Sequence, residues 1–178
     1  YPLYAPLYVV SFSYPSGTNV IKTKRYGGVI MGWVNFTNSP RRTLMGNLCW
    51  LKPGWTNRFY DAGFTNEIAI MGSGYTPPLA GQRSIFITNG VVTLQGGNLP
   101  SPITNLISIS SLNKIVMTTT NSGMKLMFAP ATGALKVSFV HPARPSPLTI
   151  GYGMYLQNQN CGGGFFKGTN QTGSIRLQ

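Results

Sequence analysis

The chain has 178 residues, of which 14 are Lys or Arg and two are carboxylates, Asp61 and Glu67, giving a formal charge of +12. Two acids argue against glycosidase-type catalysis and calcium sites, both of which gather several carboxylates at one point. Charged residues make up 9% of the chain, against roughly 25% in ordinary globular proteins, so Asn, Thr, Ser, Gln and Gly must build the polar surface, as suits an extracellular or densely packed setting.

The length favours one domain over residues 1–178, and no run reaches the roughly 18 apolar residues of a membrane span. The opening stretch, Tyr1 to Ile21, is uncharged but broken by Pro2, Pro6 and Pro15. It lacks a basic start and an Ala-x-Ala-type cleavage site, so it does not read as a signal peptide. With no initiator Met, the chain reads as part of something longer. Leu7–Tyr14 is the first strand. Tyr4, Leu7, Tyr8, Val10 and Phe12 give this segment the character of a strand that adds to a neighbour's sheet edge, or of an ordinary first strand. Lys22–Arg25 and Arg41-Arg42 read as loop tips around a strand at Gly28–Phe36. Leu44–Leu51 follows, then an aromatic loop from Lys52 to Thr65, then Glu67–Met71.

Asn89-Gly90, the strongest two-residue turn signal, predicts a hairpin joining Ser84–Ile87 to Val91–Gln95. Strands are also predicted at Leu106–Ile109, Lys114–Thr118 and Thr149–Gln157. Leu126 and Phe128 alternate with polar or flexible neighbours, as do Leu135, Val137 and Phe139. Pro130-Ala131-Thr132-Gly133 between them supplies turn chemistry for a second hairpin. A third joins Gly164–Gly168 to Gly173–Leu177 around Asn170. Phe36-Thr37-Asn38 and Gly168-Thr169-Asn170 hint at a faint internal repeat. No segment keeps helical periodicity, and 13 prolines and 22 glycines oppose long helices. The expectation is an all-β antiparallel barrel or sandwich of about ten or more short strands, possible completion by another segment or chain included.

Several stretches together carry a family resemblance. They begin with Pro2-Leu3-Tyr4-x-x-Leu7-Tyr8, Gly32-Trp33-Val34-x-Phe36, Gly46-x-Leu48-x-Trp50-x-Lys52-Pro53 and Phe59-Tyr60-x-x-Gly63-Phe64-Thr65. Gly72-Ser73-x-Tyr75-x-x-Pro78 and Gly96-Gly97-Asn98-Leu99 follow. The most specific is Leu156-Gln157-Asn158-Gln159-Asn160 with Gly162-x-Gly164-x-Phe166-x-Gly168-Thr169-Asn170 and Gly173. The chain resembles an uncharacterised β-rich C-terminal module of large secreted proteins of Verrucomicrobia and Planctomycetes. The resemblance implies export and a surface or structural role, and it brings no catalytic residues. That module usually has further N-terminal strands, which implies a fragment, or a sheet completed by another chain.

Candidate chemistry is sparse. A Ser-His-Asp relay would have to use His141 with Asp61, yet His141 precedes Pro142 in what reads as a solvated Pro-rich turn. Asp61 and Glu67 read as ion-pair partners for nearby Arg or Lys. Zinc needs three or four ligands, and the chain offers five scattered Cys, His or acid residues. Cys161-Gly162-Gly163-Gly164 lacks the Lys-Ser/Thr of a phosphate loop and reads as a glycine-rich turn or a close backbone approach. Cys49 and Cys161 read either as half-buried free thiols or as a long-range disulfide contributing about 4 kcal/mol.

Half the basic residues fall between positions 22 and 58, interleaved with aromatics, of which Trp33 and Trp50 read as core. Arg41, Arg42, Lys52, Trp55, Arg58 and Tyr60 are candidate contacts to carbohydrate or a polyanion. In an exported setting, anionic polysaccharide is a better target than nucleic acid. The leading expectation is a non-enzymatic extracellular or cell-surface structural protein without cofactor. It would assemble with its own copies or with neighbouring surface proteins into a filament, sheath or surface layer. The alternative is a carbohydrate- or polyanion-binding module.

Overall fold

The computed structural model describes every residue except 39 and 55–58, and for residues 8–12, 14, 19 and 23–26 it describes the backbone alone. The chain is all-β and divides into two compact units, Tyr1–Gly72 and Ser73–Gln178.

Unit 1 is an antiparallel sheet in the order β1 (Pro2–Ser16), β2 (Asn19–Thr37), β3 (Thr43–Lys52) and β4 (Phe64–Ser73). Gly17, at φ 62, takes the first position of the two-residue turn between Ser16 and its partner Asn19, as a turn matched to strand twist requires. β1 and β2 stay in register from Pro2↔Trp33 to Ser16↔Asn19. β3 covers β2 only from Val29 to Thr37. Residues 19–28 and their β1 partners therefore run past β3 as a two-stranded arm about 30 Å long. Lys22, Lys24 and Arg25 pair with Ser13, Ser11 and Val10 within this arm, so the expected loop tip at 22–25 is strand instead.

One face of unit 1 buries Val34 and Leu48, and Trp50 packs edge-on against Phe64 at 5.0 Å. Trp33, expected in the core, is 68% exposed. It neighbours Val34 along β2, and successive strand residues point to opposite faces.

Unit 2 carries β5 (Asn89–Gly96), β6 (Ile103–Ile109), β7 (Ile115–Met117), β8 (Lys125–Ala129), β9 (Ala134–His141), β10 (Arg144–Leu156), β11 (Cys161–Lys167) and β12 (Thr172–Leu177). The sheet order is β7-β6-β5-β12-β11-β10-β9-β8. Sequential strands other than β7 and β8 are thus neighbours, and β12 returns to pair with β5, from Gly173↔Gly96 to Leu177↔Val92. The result is an antiparallel, nearly closed eight-stranded barrel with its seam between β7 and β8. A barrel of this strand number is narrow enough for side chains to fill. Val92, Leu94, Ile107, Val137, Phe139, Phe166, Ile175 and Leu177 do so, with Phe139 edge-on to Phe166 at 5.0 Å.

Asn105, buried on β6, stitches the seam. Its Oδ1 accepts from the Asn121 amide at 2.6 Å and from the Thr119 hydroxyl at 3.1 Å, and its Nδ2 donates to the Asn121 carbonyl at 3.2 Å.

The predicted hairpins at Pro130–Gly133 and around Asn170 form, as β8–β9 and β11–β12. The one at Asn89-Gly90 does not. Both residues lie inside β5, opposite Ser108 and Ile107. Gly90 answers a close approach, since a Cβ there would lie 2.7 Å from Ile87 Cγ2. Ser84–Ile87 is no strand, because side chains satisfy its backbone. Arg83 donates to the carbonyls of Ile85, Ile87 and Ile109. Asn113 Oδ1 accepts from the Ser84 and Ile85 amides, and the Tyr155 hydroxyl accepts from the Phe86 amide. Ile85 and Ile87 are thereby held in the core.

His141 is likewise not a solvated turn residue: it ends β9 and is 1% exposed. Its Nε2 donates to the Gly97 carbonyl at 2.9 Å, and its Nδ1 accepts from the Ala143 amide at 3.2 Å. Both ring nitrogens are occupied structurally, in the neutral Nε2–H tautomer these roles assign.

Candidate functional site

The residues singled out from the sequence for surface contacts differ in their settings. Arg41 and Arg42 are exposed in the β2–β3 connection. Lys52 is buried, with Nζ 2.7 Å from the Tyr60 carbonyl and 3.3 Å from that of Pro53. The ammonium thereby ties the Pro53 carbonyl to that of Tyr60 and is turned away from solvent. Tyr60, at φ 53, sets its ring edge-on to Phe64. Trp55 and Arg58 lie outside the described residues.

Within the candidate strand-exchange segment, Tyr4 is exposed and Leu7 half-buried. Tyr8, Val10 and Phe12 fall in β1 with side chains outside the described set. β1 pairs with β2 of the same chain and forms the edge of the sheet.

Cys49 and Cys161 are free thiols, so the disulfide alternative is not formed. Asp61 accepts from the Ala62 amide, and Glu67 is exposed on β4. Neither is seen in an ion pair among the described residues, contrary to expectation. Among those residues, no group of three or more His, Cys, Asp or Glu could hold a metal ion. Cys161–Gly164 is a strand, β11, with the close backbone approach the sequence allowed: a Cβ on Gly164 would strike Gly153 Cα at 2.6 Å.

The surface that sequence reading missed is the outer wall of the barrel. On β10, Leu148, Ile150, Tyr152 and Met154 all point outward and are about half exposed. The inward positions between them include Gly151 and Gly153. A Cβ on Gly151 would press on Ile175 Cδ1 at 2.6 Å, and one on Gly153 on Gly164 Cα at 3.0 Å. Over residues 148–154, β10 thus puts glycines at inward positions and large apolar side chains in solvent, while Tyr155 beyond them is buried in the core.

Register extends the wall sideways. Tyr152 lies directly opposite Phe165 of β11 and Lys136 of β9, and Lys136 opposite Met127 of β8. Lys125 lies opposite Ser138, itself opposite Ile150. Arg176 lies opposite Gly163, itself opposite Met154. Lys167 follows Phe166, the partner of Gly151. Lys125, Lys136, Lys167 and Arg176 are all exposed. Four cations thus border a ridge of Ile150, Tyr152, Met154 and Phe165, with neighbouring strands about 4.8 Å apart.

No internal carboxylate offsets them. Unit 2 holds Arg83, Lys114, Lys125, Lys136, Arg144, Lys167 and Arg176, while both acids of the chain, Asp61 and Glu67, precede it. The wall therefore carries a positive potential over an apolar ridge. No protein-family model, curated protein or solved structure matches this chain.

Proposed function

We propose that this is a non-enzymatic extracellular or cell-surface module that docks onto an acidic polysaccharide through the outer wall of its barrel. The observation carrying this reading is the cation-bordered ridge of Tyr152, Phe165, Ile150 and Met154, in a unit without a carboxylate side chain. Monomeric proteins seldom expose a contiguous apolar patch unless something binds it. Sugar rings offer C–H faces to Tyr152 and Phe165, while carboxylates or sulfates along the polymer meet the Lys and Arg side chains. The resemblance to secreted modules supports the extracellular setting.

Retention on immobilised polygalacturonate tests the proposal. Each Lys–carboxylate approach at about 4 Å is worth about 1 kcal/mol in water, so Lys136→Gln/Lys167→Gln should weaken binding about 30-fold at low salt. Added salt should erase much of that difference. Retention equal to wild type in the double variant would refute the assignment.

Self-assembly is the second reading, favoured by the arm of unit 1. Tyr1 and Val34 exchange both backbone hydrogen bonds, which sets odd-numbered β1 residues toward β2 and even-numbered ones outward. Beyond β3, no strand pairs with either arm edge among the described residues, which suits strand addition. Two features oppose it. Pro2 and Pro6 occupy outward positions and remove edge donors, and the basic arm repels its own copies. Val10→Pro/Phe12→Pro removes further outward donors without touching the β1–β2 ladder. Filaments under negative stain that vanish in this variant would establish assembly; particles that stay monomeric in the wild type would dismiss it.

A further inference from the structure

A second surface, with a carboxylate at its cleft, lies on unit 1. We infer that the outer face of β1–β4 holds a neutral carbohydrate chain, with Trp33 and Tyr4 as stacking platforms and Asn47 and Glu67 as hydroxyl partners. This rests on observations separate from the barrel wall.

Trp33 is 68% exposed and Tyr4 71%, although each sits on a paired strand where a large ring ordinarily finds cover. Register places Trp33 directly opposite Asn47 on β3, and Tyr4 directly opposite Met31 on β2. Met31 and Trp33 share a face two residues apart, so the two rings are diagonal neighbours roughly 7–8 Å apart. Beside them lies a cleft of about 320 Å³, lined by Met31, Gly32, Asn47, Leu48, Cys49 and Glu67. That volume falls at the small end of ligand sites and suits one sugar ring. Gly32 keeps the strands close, since a Cβ there would lie 2.9 Å from Leu48 Cα.

The polar groups select the ligand class. A carboxamide both donates and accepts, and a carboxylate accepts from two sites. Together they match the mixed hydroxyls on the rim of a pyranose, whose apolar C–H face lies on an aromatic ring. Glu67 is the only carboxylate on this sheet, and among the described residues no Lys or Arg lines the cleft. An acid group seated in the cleft would face Glu67 directly, whereas a neutral sugar meets no such repulsion.

The test is calorimetric titration of the full chain with oligosaccharides of xylan, mixed-linkage β-glucan, mannan and chitin. The expectation is binding to at least one, weakened at least tenfold by Trp33→Ala, less by Trp33→Phe, and unaffected by salt. Asn47→Ala should also weaken it, giving a second check if Trp33→Ala folds poorly. Lys136→Gln/Lys167→Gln should leave neutral-glycan binding unchanged, so failure here is distinguishable from failure of the barrel-wall proposal. No titratable neutral glycan, or wild-type affinity in Trp33→Ala and Asn47→Ala, overturns the inference. So does dimerisation in sedimentation velocity that Trp33→Ala abolishes, because the occupant is then a second copy.

Discussion

Asn105→Leu should open the barrel at its seam. β7 is three residues long and pairs with β6, while β8 pairs with β9. Between them, Asn105 makes three conventional hydrogen bonds to Thr119 and Asn121 and a weaker one to the Met124 sulfur. Leucine has similar bulk but can make none of these. Each bond is worth about 1 kcal/mol net, and burying the leucine side chain recovers about 1 kcal/mol. The net loss is then about 2 kcal/mol, which should lower the melting temperature of a unit this size by roughly 10 °C. Circular dichroism melts report the shift. Amide exchange should rise at Leu106, Thr119 and Asn121, the first of which donates to the Thr119 hydroxyl. A melting temperature within about 2 °C of wild type, with exchange unchanged at these amides, would refute the idea that Asn105 substitutes for the missing ladder.

Pro2→Ala/Pro6→Ala restores two outward N–H donors on the β1 edge, and light scattering should show faster aggregation at equal concentration. Burial raises the pKa of Tyr155 above its ordinary value, and the Phe86 backbone hydrogen bond opposes that in part. Its contribution is fully present below the unfolded pKa of about 10 and is lost as pH rises from there through the higher folded value. Urea titrations from neutral pH to above 10 should therefore show an alkaline loss of stability that is smaller in Tyr155→Phe. Gly173→Ala drives a methyl into the Phe166 ring and within 2.8 Å of the Gln95 carbonyl. It should cost about 3 kcal/mol by overpacking, measured by chemical denaturation.

Local chemistry was legible where it acts within a few residues. Pro130–Gly133 turned the chain between β8 and β9, with Gly133 at φ 75, and alternation at Leu135–Phe139 marked an inward face. Asn89-Gly90 misled because the same dipeptide serves a tight turn or a close strand approach. Ile87, Ile107 and Gln178 choose between them, and all lie beyond the turn itself. His141 read as a turn residue because its partner, the Gly97 carbonyl, is 44 residues away.

The candidate surfaces were less legible. A strand at Thr149–Gln157 was expected, but apolar residues at period two ordinarily mark the buried face. Only the packing of Ile175 and Gly164 against the interval glycines shows that the ridge faces solvent. Trp33 read as core for the same reason. The sequence by itself determined the strand-rich class, two hairpins and the excess of positive charge. Period, turn propensity and ionisation are properties of a residue and its near neighbours. Tertiary structure decided which face of each strand is wet, how β12 returns to β5, and which cations border an aromatic ridge. Those depend on register between strands far apart in the chain, where one residue of slip exchanges the two faces.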